Sequence, residues 1–451
     1  MNKILLVQQY LGFNNEIGPI FPIGLAYIAT NISSNTNWIV KAIDMNVCED
    51  PYLTLNRTID SFNPNVVGLS VRNIDNVDYE NFNYFYKELD QVVRTIKQKC
   101  DTLLLGGAGF SIFVPEIMNH NKGINYGIVQ EGEETIVELL QCIERGKSVD
   151  SVKGLYYWND NTLHFTGERK PINFSKSMIP DRTYFEIDKY NKPLCMGVQT
   201  KRGCSLKCSY CTYPFLSKHT ERFRNPSSVV DEIEQLVTDY GIKEIIFCDD
   251  IFNNPLNHSI EIIKGIVDRD INVKWSAWFD VGSTDKEFIR LAIKSGCYRF
   301  CFSTEGVIDS SLNQLQKNFS AKQAEQLIQN CLTDEFRGVD FRFSLFAIPP
   351  GQTILGMLKT LYIVYKTHVV WVNSKCLVSW IRLLPNTALN NTIGKSSEEL
   401  LPIDVTKQNK DDLFYRNPDI NKYLIILYKH AINGVLLLRP IRKFIWRKMH
   451  I

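Results

Sequence analysis

Directly after the apolar run Met196–Thr200 the chain reads Lys201-Arg-Gly-Cys-Ser-Leu-Lys-Cys-Ser-Tyr-Cys211. Three thiolates spaced C-x3-C-x2-C in one short loop can each hold one iron of a cubane cluster, leaving the fourth iron without a protein ligand. An open iron can chelate a small molecule and pass it an electron. Gly203 lets the loop turn back on itself, and Lys201 and Arg202 stand where they would offset a cluster's negative charge. Zinc is the competing reading. It takes four ligands, and neither a second C-x2-C nor an H-x3-H pair lies nearby; the nearest histidine, His219, is at no conventional spacing. The other nine cysteines are scattered and read as small buried hydrophobes. Cys297, Cys301, Cys331 and Cys376 span several predicted elements without a paired motif, so core positions are expected for them rather than a second cluster.

Outward from this loop, a βα series runs through residues 195–390. Its predicted strands are Met196–Thr200, Glu244–Cys248, Val273–Phe279, Arg299–Ser303, Asp340–Phe346 and Trp371–Leu384, with helices such as Ser227–Tyr240 between most of them. Six repeats predict a partial (β/α)6 TIM-type barrel with its chemistry at the strand carboxyl ends. Trp275, Trp278, Trp371 and Trp380 are expected to fill its strands. Residues 1–150 repeat the alternation with strands at Lys3–Val7, Trp38–Asp44, Val66–Val71, Thr102–Leu105 and Ile124–Val129. Helices are predicted at Pro22–Asn31, Phe85–Lys99 and Glu134–Arg145. Short apolar strands in βαβ order predict a Rossmann-like parallel sheet covered on both faces. A ligand is expected beyond the strand ends, at the loops 8–18, 70–73, 106–110 and 130–133. Residues 151–194 read as a connector containing a hairpin around Asn159–Asn161. Residues 391–451 read as a helical extension. Its last segment carries Arg439, Arg442, Lys443, Arg447 and Lys448 with no acidic residue; it reads either as a membrane-surface helix or as a helix packed on the barrel with a solvated basic face.

The chain has 451 residues, enough for two or three domains, with 44% hydrophobic and 22% charged residues. A formal charge of +2 gives no broad electrostatic reason for nucleic acid. The apolar run at the amino terminus is too short for a signal-peptide core, and no stretch approaches the roughly 20 apolar residues that span a bilayer. Twelve cysteines without a secretion signal point to metal in a reducing, cytoplasmic setting rather than to a disulfide framework.

On these motifs the segment 195–390 resembles the radical S-adenosylmethionine superfamily. The family's aromatic residue before the third cysteine is matched by Tyr210. Its acidic second-strand end is matched by Asp249 and Asp250 in IIFCDDIFN, and its fourth-strand motif by Phe302-Ser-Thr-Glu-Gly306 followed by Leu and Lys in DSSLNQLQKN. The fifth-strand motif appears as Ala347-Ile-Pro-Pro-Gly-Gln-Thr353, departing at Ala347 and Gln352, and the sixth-strand turn as Leu384-Pro-Asn-Thr-Ala388. The resemblance implies that Cys204, Cys208 and Cys211 hold a [4Fe-4S] cluster and are the catalytic centre. It implies S-adenosylmethionine contacts at Tyr210, Asp249, Asp250, Ser303 and Glu305, although the three carboxylates also suit capping roles at strand–helix junctions.

Residues 1–165 resemble the cobalamin-binding domain often fused to such barrels, through KILLVQQY, PIGLAYIATNI, PNVVGLSVRN, LLLGGAGFSIFVPEIM and GIVQEGEETIVELL. This implies cobalamin contacts at Ser70, Arg72, Gly106, Gly107, Glu131, Gly132 and Glu133, the last three at a helix amino terminus. The histidine motif that supplies a cobalt ligand in other cobalamin proteins is missing from the first loop. The resemblance as a whole implies a cobalamin-dependent radical methyltransferase acting on an unactivated carbon or phosphorus of a small molecule or peptide, with flavodoxin or ferredoxin as external electron donor. The alternative is a cyclase or rearrangement enzyme using the same cofactors without net methylation. A tRNA methylthiotransferase would need three amino-terminal cysteines, and the first loop offers Gln8, Gln9 and Tyr10 instead. A non-enzymatic cobalamin sensor would leave the cysteine loop unexplained.

Overall fold

The computed structural model describes residues 1–12, 19–371, 373–401 and 409–449, with side chains through residue 438. The first-loop reading therefore lies outside the described residues from residue 13 to 18, and so do the side chains of the basic run from Arg439 onward.

Strands rich in Leu, Ile and Val build the first half, as a sheet covered on both faces requires. β1 (Lys3–Gln8), β2 (Ile39–Asp44), β3 (Val66–Ser70), β4 (Leu103–Gly106) and β5 (Tyr126–Ile128) run parallel in the order β2-β1-β3-β4-β5. The hairpin β6 (Leu155–Asn159) and β7 (Thr162–Phe165) continues this sheet antiparallel beyond β5. It is thus an integral edge of the first sheet and not a free connector. The accompanying helices are α1 (Ile23–Asn35), α2 (Pro51–Phe62), α3 (Tyr86–Lys97), α4 (Ala108–Ile112), α5 (Val114–His120) and α6 (Glu133–Glu144). Sequence periodicity missed α2, whose buried face is interrupted by polar residues. Its ends are nevertheless well marked: Asp50 accepts from the Leu53 N–H, Pro51 opens the helix, and Asn63 closes it in the left-handed region.

In the second half, β8 (Gly197–Val198) starts the barrel. β9 (Lys201–Arg202) pairs antiparallel with β10 (Arg222–Phe223) around the cysteine loop. β11 (Glu244–Phe247), β12 (Lys274–Phe279), β13 (Cys297–Glu305), β14 (Asp340–Phe346) and β15 (Ser374–Ser379) follow β8 as one parallel sheet in chain order, with β8 and β15 at its edges. Helices α7 (Tyr213–Ser217), α8 (Pro226–Thr238), α9 (Leu256–Asp268), α10 (Lys286–Lys294), α11 (Asp309–Gln314), α12 (Ala321–Cys331) and α13 (Ile354–Val364) alternate with these strands. Aromatic rings fill the barrel: Phe247, Phe252, Trp275, Phe279, Phe300, Phe302 and Phe341 form a continuous set of ring contacts.

Two barrel strands are shorter than their sequence pattern. β8 ends at Val198 because the N–H groups of Thr200 and Lys201 donate to the Asp249 carboxylate instead of to a strand. β15 begins only at Ser374, after a π-helical turn over Tyr365–Val370, and ends at Ser379. Beyond it Arg382 leaves the sheet to form an isolated bridge with Phe414 and a buried ion pair with Asp75 at 3.0 Å. The extension contains α14 (Ala388–Ile393), α15 (Ser397–Leu400) and α16 (Lys422–Met449), and α16 packs against α13 around Met357, Tyr428 and Ile432. Among the described residues no helix is long and apolar enough to cross a membrane.

Candidate active site between the two sheets

The carboxyl ends of β3 and β4 face those of β8 and β11 across a cavity of about 320 Å³. One wall is Ser70, Gly106, Gly107 and the turn Gln130–Glu133; the other is Gln199, Lys201, Arg202, Gly203, Cys248, Asp249 and Asp250. Leu69, Leu104 and Ile128 form its floor with Ile23 and Ile28 of α1, and Tyr213 and Leu216 of α7 close one side. Strand-end residues of the first sheet and part of those of the barrel therefore line one space.

The glycine pair divides its work. At Gly107, φ is +104° and a Cβ would lie 2.6 Å from the Val71 carbonyl oxygen, so glycine is needed for the β3 and β4 loops to meet. The Gly109 N–H donates to Val71 and Arg72 carbonyls on that same loop. At Gly106 a Cβ would make only ordinary contact, at 3.7 Å. The close backbone approach expected for a ligand is thus, at Gly107, an approach between two loops of the protein.

Arg202 corrects a sequence expectation. It does not stand over the cysteine loop as a counter-charge but crosses to the first sheet, meeting Glu133 at 2.6 Å and Glu131 at 3.7 Å. Arg222 meets Glu131 at 2.7 Å, and the Ile172 N–H donates to the same carboxylate. Burial works against the Arg202 charge, but Glu133 and Glu131 outweigh it, and the guanidinium lies over the Phe174 and Tyr27 rings. Lys201 donates to Glu221 at 2.9 Å and to the Asn254 carbonyl, yet still pulls the Cys204 thiol down.

Cys204 is buried and Cys208 and Cys211 are half-buried. Burial pushes all three thiols up, Cys204 to about 11, and each also feels its neighbours' charge, while Lys317 pulls Cys208 down. The loop is clamped from behind: the Ser209 N–H and hydroxyl donate to the Leu315 and Gln314 carbonyls, and the Leu389 N–H donates to the Ser209 carbonyl. Among the described residues no three His, Cys, Asp or Glu side chains converge tightly enough for a single metal ion. Three thiols on one loop at C-x3-C-x2-C spacing suit a cubane with one open iron. The thiols do not border the cavity, which the loop reaches through Gly203.

The remaining candidates separate into two groups. Asp249 and Asp250 both border the cavity, but the Asp249 oxygens accept from Thr200 and Lys201, bracing the start of the loop. Asp250 forms no hydrogen bond among the described residues, and burial followed by the Asp249 charge pushes its carboxyl up to about 7. Outside the cavity, Glu305 accepts from Tyr210 and pairs with Lys317 at 2.5 Å, in a buried network beside Cys208. Ser303 stands half-buried on β13 and does not border the cavity. Arg72 is exposed, forms no ion pair among the described residues, and lies within electrostatic reach of Cys248. Gln130 falls in the loop 130–133 expected to meet a ligand, whereas sequence reasoning missed Tyr213 and Cys248 as wall residues. Only Cys248, beside the acidic pair at a strand end, carried a positional signal.

No family model matches the chain. It is 26% identical over 340 residues to an uncharacterized methyltransferase of Pyrococcus horikoshii, covering 74% of this chain and 69% of that protein. It is 25% identical over 323 residues to the anaerobic magnesium-protoporphyrin IX monomethyl ester cyclase of Rubrivivax gelatinosus, covering 68% of this chain and 56% of the cyclase. The chain thus spans little more than half of the cyclase's length. Its fold matches the radical S-adenosylmethionine methyltransferase TsrM of Kitasatospora setae, solved with cobalamin and a [4Fe-4S] cluster, with a TM-score of 0.75 at 21% identity, over 89% of this chain and 79% of that one. In sequence the chain is thus similar to a methyltransferase and a cyclase, and in fold to a radical S-adenosylmethionine enzyme solved with cobalamin and a [4Fe-4S] cluster.

Proposed function

We propose that the chain is a cobalamin-dependent radical S-adenosylmethionine methyltransferase acting on an unactivated carbon or phosphorus of a small molecule or peptide. One observation carries this reading: the cavity is walled on one side by the strand ends suited to cobalamin and on the other by the base of the cysteine loop. Cys204, Cys208 and Cys211 would hold the cluster. Asp250 and the neighbouring barrel edge would receive S-adenosylmethionine, and Ser70, Gly106 and the turn Glu131–Glu133 would receive cobalamin. When bound, these groups supply a radical that removes hydrogen and a methyl group that replaces it.

The chain's own residues orient and enclose. Leu69, Leu104 and Ile128 exclude water from the floor. The pairing of Arg202 with Glu131 and Glu133 fixes the distance between the two walls. Twelve free cysteines suit a reducing, cytoplasmic setting in which a flavodoxin or ferredoxin supplies electrons.

The cyclase relative supports a second reading, a reaction with the same cofactors and no net methylation. Turnover with methyl-labelled S-adenosylmethionine and the substrate separates the two. A methyltransferase forms 5′-deoxyadenosine and S-adenosylhomocysteine in roughly equal amounts, and its product carries the label. Turnover with an unlabelled product would overturn the methyltransferase reading and leave the second.

A further inference from the structure

α13 and α16 form a layer over the β14–β15 edge of the barrel, sharing Met357, Leu361, Leu424, Tyr428 and Ile432 as their inner contact. Their outer stripes are apolar. On α13, Ile354, Leu355, Leu358 and Tyr362 recur at helical spacing and are each between 58% and 64% exposed. On α16, Tyr423 and Leu427 are 70% exposed and Leu437 69%, with Ile426 beside them. Isolated exposed leucines need no explanation, but stripes on two adjacent helices mark an interaction surface.

The charge carried by these two helices has one sign. Residues 341–397 and 420–451 contain no Asp or Glu, whereas α13 carries Lys359 and the turn after it Lys366, and α16 starts at Lys422. From the loop after β3, Glu80 pairs with Lys429 of α16 at 2.9 Å. An isologous dimer through this face would bring two cationic helix pairs together with no carboxylate on either helix to offset them. Bulky aliphatic and tyrosine side chains on two helices whose own charges are all cationic match the acyl boundary and headgroups of an anionic membrane.

We infer that the outer face of α13 and α16 is a membrane-surface site that binds an anionic bilayer in its plane, with Ile354, Leu355, Leu358 and Leu427 entering the headgroup–acyl boundary. The cavity between the sheets lies elsewhere, so the inference stands apart from the methyltransferase reading.

Flotation of the full-length protein with phosphatidylcholine vesicles, and with vesicles also containing phosphatidylglycerol, tests it. Binding is expected only to the anionic vesicles and should weaken as salt rises. Combining Leu355→Glu, Leu358→Glu and Leu427→Glu should lower the bound fraction about tenfold or more while the melting temperature stays unchanged. Should that variant fail to fold, Lys359→Glu with Lys366→Glu, which alters surface cations only, should lower binding in the same direction. Absence of binding to anionic vesicles would overturn the inference, as would equal binding by a folded variant and the unsubstituted protein. A concentration-dependent dimer in light scattering, lost in the leucine variant, would also overturn it by assigning the face to a second copy.

Discussion

The two sheets meet at one cavity but equip it differently. The first contributes mostly main chain and small residues: Ser70, Gly106, Gly107 and Gly132 offer a smooth edge, and its two carboxylates, Glu131 and Glu133, are paired across the gap. The barrel contributes chemistry-bearing side chains: three thiols on the loop that reaches the cavity through Gly203, and Asp249 and Asp250 on its wall. A bulky, largely preformed ligand is matched by shape and backbone, whereas an iron cluster must be held by specific donor atoms. The barrel edge is accordingly intolerant of substitution at single atoms, and the first edge is sensitive mainly to backbone geometry.

Substitution at the thiols should have the largest effect. Anaerobically reconstituted protein should hold about four irons per chain, and Cys204→Ala, Cys208→Ala or Cys211→Ala should each remove the cluster and S-adenosylmethionine cleavage. Iron analysis of Cys297→Ala and Cys301→Ala should give the unsubstituted value, because these residues sit within β13 away from the loop. A cluster surviving all three loop variants would erase the contrast between the two edges.

Next comes the bridge between them. Arg202→Met keeps much of the side chain's volume but removes the cation that pairs with Glu133 at 2.6 Å, leaving Glu131 to Arg222, in a largely buried setting. Breaking such a network should cost about 3 kcal/mol in denaturant unfolding. Cobalamin retention should fall with it while iron content holds. If cobalamin held and iron fell, Arg202 would be serving the cluster rather than the wall.

Gly107→Ala probes the first edge alone. The added Cβ would meet the Val71 carbonyl at 2.6 Å in a backbone conformation that L side chains rarely adopt. A loss of about 2 kcal/mol and weakened cobalamin binding are expected, with the cluster intact. Gly106→Ala, where the space is open to 3.7 Å, should be milder; equal effects would mean that ligand contact, not loop closure, dominates there.

The smallest stability effect is expected at Arg72. The residue is exposed and forms no ion pair among the described residues, so Arg72→Ala should stay within about 0.5 kcal/mol of the unsubstituted protein. Its effect should appear instead in the spectrum of bound cobalamin, which is expected to be base-off without nitrogen superhyperfine coupling. Nitrogen coupling would mean that a nitrogen donor, a side chain or the cofactor's own base, occupies the lower face of cobalt, where Arg72 is expected to approach.

Much of this was legible before any coordinates. The five parallel strands of the first sheet and the six of the barrel follow from short apolar runs alternating with helical periodicity, because each element's burial pattern is written within its own few residues. The cysteine loop was legible for the same reason. Apart from α2, the errors fall where a residue's partner is distant in the chain. α2 was missed because its apolar face is sparse and its caps are single residues. β8 was read too long because nothing local says that Asp249 will take the N–H groups of Thr200 and Lys201. Arg202 was assigned to the nearest charge, when its partners lie on another sheet.

The sequence by itself determined the order of elements, the donor set of the loop and the glycine-marked strand ends, all of which depend on local spacing and side-chain chemistry. Only the tertiary structure decided that the hairpin after β5 completes the first sheet, that Asp249 is a brace while Asp250 faces the cavity, and that Arg202 joins the walls. It also decided that the apolar stripes of α13 and α16 face outward. Which charges pair and which surfaces are covered depends on how two sheets dock, and long-range docking is settled by summed burial and electrostatics over the whole chain rather than by any short segment.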